Sequence, residues 1–88
     1  MTYPTIHLNG TSARELIKIH ERAFDAIQDA LTALCACRPN GRDYYPQGPG
    51  ALPAAIDEAI ARENALQEVI DELHEIINYI ERNAEERK

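Results

Sequence analysis

The sequence is poor in everything that usually staples a small fold. It has two cysteines, four glycines, five prolines and only 6% aromatic residues in 88. Cys35 and Cys37 stand two apart in a helical pattern, so their side chains diverge by about 200° and cannot bond to each other without unwinding the chain. They read as thiols packed like small apolar residues. No Cys/His cluster with zinc spacing, no glycine-rich phosphate loop and no nucleophile beside a base stands out. His7, His20 and His74 are scattered, and partly buried hydrogen-bonded roles suit them better than metal binding or base catalysis. The expectation is a protein with no enzymatic activity, metal or cofactor. Basic residues are also scarce, with a formal charge of −6 and a pI near 4.9. Such a chain repels phosphate backbones, so general nucleic-acid binding is disfavoured. The longest nearly apolar run, Ala30 to Cys37, is too short to span a bilayer, and no signal-like core follows Met1. A soluble, cytosolic protein is expected, with no membrane partner.

What the sequence does hold is helical periodicity. Apolar residues make up 44% of the chain. Ser12 and Glu15 form a capping-box pair. Leu16, His20, Ala23, Ile27, Ala30, Leu34 and Cys37 then recur at steps of four and three, flanked by Ile17, Phe24 and Leu31. Alanines at 23, 26, 30 and 33 allow a partner helix to come close. Pro39 ends the pattern by pushing Arg38 out of helical geometry. A second pattern starts near Pro53, suited to a first helical position. It runs through Leu52, Ile56, Ala59, Leu66, Ile70, Leu73, Ile77 and Ile80, with Glu63 as one polar seam position. The spacing predicts an arm over 1–10, helices over 11–38 and 52–83, a loop over 39–51 and a charged tail over 84–88. The arm, with Pro4 and the turn signal Asn9-Gly10, should lay Ile6 and Leu8 on the helices or cross to a neighbour. The fold class is all-α, an antiparallel two-helix hairpin in a single domain, with Ile27 opposite Glu63 and His20 opposite Ile70. One stripe per helix is too little core for so short a chain. A homo-oligomeric helical bundle is therefore expected.

Three prolines and three glycines crowd into residues 38–50, a connection too long for a simple turn and too stiff for a floppy linker. Asn40-Gly41 suggests a positive-φ turn that frees backbone N–H groups for an anion. Arg42 offers a fork for phosphate or carboxylate, Tyr44 and Tyr45 offer stacking rings, and Asp43 and Gln47 can read polar edges. The competing reading is structural, with Arg42 paired to Asp43 and the tyrosines capping the core. Arg14, Lys18 and Arg22 form a basic strip on the first helix. They either pair with Glu15, Glu21 or Asp25, or make an anion site near the helix start.

Two segments, Ile6-His-Leu-Asn-Gly-Thr-Ser12 and Pro39-Asn-Gly-Arg-Asp-Tyr-Tyr-Pro-Gln-Gly48, resemble a group of short phage and prophage proteins. The acidic hairpin plan is similar to phage-encoded sponges, small oligomers that sequester nucleotide immune signals. That likeness of plan implies a non-catalytic anti-defence protein binding a cyclic oligonucleotide or an ADP-ribose-like signal. It transfers no residue roles. The alternative is a helical assembly protein of a phage or prophage.

Overall fold

A computed structural model describes residues 1–86, and the tail residues Arg87 and Lys88 lie outside it. The described residues are all-α, with no strand. In order they form α1 (Ala13–Cys35), the short α2 (Gly41–Tyr44), a 3-10 turn (Tyr45–Gln47) and the long α3 (Ala51–Glu86).

Helix α1 begins where its capping chemistry directs. Ser12 is extended, and its Oγ accepts the Glu15 backbone N–H at 3.1 Å, satisfying one of the free donors of the first turn. The helix ends at Cys35, three residues before the expected Arg38. Ala36, Cys37 and Arg38 instead donate to carbonyls three residues back, at 3.1, 2.9 and 3.3 Å. That tighter spiral carries Arg38 across to α3 ahead of Pro39. Helix α3 opens two residues before Pro53, so the proline stands third, still within the turn whose N–H groups need no helical partner.

The two long helices run in opposite directions. Cys35 and Arg38 meet Glu63, the Phe24 ring lies 6.0 Å from the His74 ring, and Arg14 shares a groove with Ala84. The register is thus about two turns away from the expected pairing of Ile27 with Glu63. The reason is unequal length. At 1.5 Å per residue, α1 (23 residues) spans about 34 Å and α3 (36 residues) about 54 Å. The first turns of α3 overhang α1, and α2 with the 3-10 turn folds back over them.

Among the described residues only Ala59, Ile70, Ile77 and Ile80 are buried, all on α3. The arm is held by a different residue from those expected. Tyr3 stacks on Tyr79 with ring centroids 4.4 Å apart, and Ile6 is half-buried, but Leu8 is 97% exposed. The outcome is a rod of 63 × 20 × 18 Å. Its radius of gyration is 19.1 Å, where a compact chain of this length would have about 12 Å.

Candidate functional site

The connection between α1 and α3 is a folded cap, held by short polar locks. Asn40 caps α2: its Oδ1 accepts the Arg42 backbone N–H at 3.0 Å, and its Nδ2 donates to Asp43 Oδ2 at 3.2 Å. The expected positive-φ turn at Asn40-Gly41 is absent. Asn40 is extended at φ −126, and among the described residues the positive φ falls on Gly48, at 103°. Asn40-Gly41 starts a helix because Asn is a strong N-cap, and the reversal of the chain is left to Gly48.

At the base of the cap lies the strongest polar contact among the described residues. Arg38 Nη2 donates to Glu63 Oε1 at 2.7 Å and Nε donates to Oε2 at 2.9 Å, while the Cys35 thiol points at Oε1 from 3.7 Å. This two-point grip lowers the Glu63 pKa, chiefly through the hydrogen bonds from Arg38, and raises that of Arg38. Glu63 is therefore the carboxylate that anchors the turn after α1 to α3, a role its seam position alone did not reveal. The signal was present: an Arg at a helix end and a lone acid in an apolar stripe.

Arg42 is not tied to Asp43. Its Nε lies 3.5 Å from Asn40 Oδ1, and neither of the ion pairs among the described residues, Arg38–Glu63 and Arg62–Glu58, includes it. The two tyrosines part company. Tyr44 is half-buried and lines a pocket of about 330 Å³ with Gln47, Cys37, Ala55, Glu58 and Arg62. Tyr45 is 77% exposed and borders a separate groove of about 390 Å³ with Gly48, Pro49 and Leu52. They cannot clamp one ligand between them within a single copy. Cys37, expected to be buried, is exposed at the lip of the Tyr44 pocket. Arg62 and Glu58, 3.6 Å apart, were not singled out in the sequence and form the far wall of that pocket.

Arg14 and Lys18 are elsewhere. They line a shallow groove with Ile17, Glu21 and Ala84, separated from the cap by the length of α1. The eight candidates thus divide into a cap group of six and a basic pair at the other end. His20 uses its Nδ1 proton on the Leu16 carbonyl at 2.7 Å. No group of three or more His, Cys, Asp or Glu able to hold a metal occurs among the described residues, and none of their helices is long and apolar enough to cross a membrane. Comparison with protein-family models, with curated proteins and with solved structures finds no match to this chain.

Proposed function

We propose that this chain is a homo-oligomeric helical hairpin that binds and sequesters a small anionic, nucleotide-derived signal at the cap without cleaving it. The observation that carries the reading is the cap itself. A short, proline-bearing segment is locked by Asn40 and anchored near Glu63, yet among the described residues it leaves the Arg42 guanidinium paired to no carboxylate, with only its Nε near Asn40 Oδ1, and the Tyr45 ring in solvent. A scaffold that fixes backbone while keeping a phosphate-gripping fork and a stacking ring free lowers the ordering cost of binding. Arg42 would take phosphate, Tyr45 a base face, and Tyr44 with Gln47 the wall of the neighbouring pocket. Asn40 and Asp43, which already bond each other, would set the fork's position and offer polar edges.

At about 330 Å³ the Tyr44 pocket sits at the small end of ligand sites, roughly 300–1,000 Å³. A whole cyclic oligonucleotide therefore needs further walls from another copy. Arg14 and Lys18 join the site only if such a copy brings them there. The phage-type setting rests on the resemblance of the two segments quoted above, the anti-defence role rests on the likeness of plan to sponges, and both belong to this proposal.

The test is thermal shift of the full chain with a panel of cyclic di- and trinucleotides and ADP-ribose derivatives. A ligand at about 100 times its dissociation constant stabilises by about 2.7 kcal/mol, and Arg42→Ala and Tyr45→Ala should each abolish the shift while leaving the unliganded melt unchanged. A panel that moves nothing sinks the ligand reading. The thin core and rod shape favour a second reading, a helical assembly protein whose cap only shapes a protein contact.

A further inference from the structure

The pocket beneath the cap holds a pair of opposite charges that the fold does not use. Tyr44 and Gln47 close the pocket from the cap, and alanines 51, 54 and 55 line it from α3. Glu58 and Arg62 continue the same wall. Positions 51, 55, 58 and 62 follow at steps of four, three and four, which keeps them on one face of the helix. The wall thus sets an acceptor-only carboxylate and a donor-only guanidinium one turn apart. They hold each other loosely, 3.6 Å apart with side chains 66% and 61% exposed, and a solvated pair of this kind costs little to open. Arg38 and Glu63, joined at 2.7 and 2.9 Å, are committed to anchoring the cap. Glu58 and Arg62 are available to a guest.

We propose that the Tyr44 pocket is a guanine subsite, with Glu58 accepting from N1–H and N2–H2, Arg62 donating to O6 and N7, and the Tyr44 ring as the stacking face. This rests on the ligand reading above and adds to it the identity of one base. The charges argue for a base over a phosphate. A phosphate on Arg62 would lie against the Glu58 carboxylate, and like charges brought together repel. Arg42, paired to no carboxylate among the described residues, serves a phosphate better. A neutral ring can stack on Tyr44, and it must then offer donors to Glu58 and acceptors to Arg62 side by side. Guanine does so: N1–H and N2–H2 are adjacent donors for the two oxygens of one carboxylate, and O6 with N7 is the edge that an arginine fork grips. Adenine and cytosine set one amino donor beside a ring acceptor, and uracil sets one donor between two acceptors. None of them gives a carboxylate two neighbouring donors. The size agrees, because about 330 Å³ holds one base with its sugar and not a whole cyclic oligonucleotide.

The test titrates the full chain with cyclic di-GMP, cyclic di-IMP and cyclic di-AMP. The readout is the methyl resonances of Ala54 and Ala55, which line this pocket and not the Tyr45 groove. Cyclic di-GMP should shift both methyls and bind about tenfold or more tightly than the other two, since the inosine base lacks the 2-amino donor and adenine lacks both donors and O6. Glu58→Gln should bring cyclic di-GMP and cyclic di-IMP to within about twofold of each other, because an amide has one acceptor oxygen in place of two. Glu58 is exposed, so the unliganded melt should not change. Should the variant lose helix, the inosine comparison probes the same contact on the wild-type chain. The subsite alone is overturned if another member of the nucleotide panel binds as tightly as cyclic di-GMP, if the preference survives Glu58→Gln, or if the two methyls stay unmoved. A chain that no member of the panel binds overturns both the subsite and the ligand reading. A guanine preference that outlasts Arg42→Ala supports the subsite and counts against Arg42 as the phosphate grip.

Discussion

The two ends of the rod are held by different physics. At the arm end, Tyr3 stacks on Tyr79 and Ile80 is the one side chain fully removed from solvent among the described residues. At the cap end the holding contacts are polar and small: the Arg38–Glu63 grip, the Asn40 cap, a reversal at Gly48 and a bed of alanines beneath Tyr44. Burial gives bulk stability but hides its side chains. Polar locks give less stability, and they fix a backbone while its neighbouring side chains stay in water. The difference teaches that the stable end is a clasp and the ordered but exposed end is where recognition chemistry can sit.

If that contrast holds, the largest effect belongs to the arm end. Ile80→Ala should cost about 2–5 kcal/mol of unfolding free energy, as for other buried large-to-small changes, read as a lower urea midpoint at constant slope. A loss below a few tenths would mean that the clasp is not the stable end. Next comes the cap's reversal. Gly48 has φ 103, and an added Cβ there meets nothing within 4 Å, so Gly48→Ala tests backbone strain without a steric clash. It should cost about 1–3 kcal/mol, and hydrogen exchange should place the new opening at residues 40–48 and not at the arm.

The smallest effect is electrostatic, because Arg38 is largely solvated. Glu63 titrates below its ordinary 4.5 in the folded chain, so its contribution is present above that value and is lost as pH falls through the lowered one. An acid melt of Glu63→Gln should lack that part of the decline below pH 4.5, and identical melts would show that the grip adds nothing to stability. The arm end has the opposite sense. The Tyr3 phenol, hydrogen-bonded to Glu75, titrates above its ordinary 10.0. What it contributes is present below that value and is lost only as pH rises through the raised one.

The all-α class and the cap of α1 at Ser12 were legible in the chain, because capping and helical period act over a few residues, whereas the end of α1 at Cys35, ahead of Pro39, was not. The seam on α3 was legible too: Ala59, Ile70, Ile77 and Ile80 all belong to the apolar register seen in the sequence. Packing of the arm was not. Ile6 and Leu8 were both expected to lie on the helices, and Ile6 is half-buried while Leu8 is exposed, but the stack of Tyr3 on Tyr79 joins residues 76 apart in sequence, which no local pattern encodes. The same holds for the candidate site. Arg42, Tyr44 and Tyr45 announced themselves by type, whereas the split of the two rings into separate grooves, and the entry of Arg62 and Glu58, required the cap to be folded against α3.

By itself, then, the order of residues determined where helices begin and break and which stripes are apolar, since those follow from backbone sterics and a 3.6-residue repeat. Only the tertiary structure decided the register, with Glu63 opposite Cys35 and Arg38, and the placing of Tyr44 and Tyr45 in separate grooves. Both depend on contacts between residues far apart in the chain, brought together where the first turns of α3 overhang α1 and the cap folds back over them.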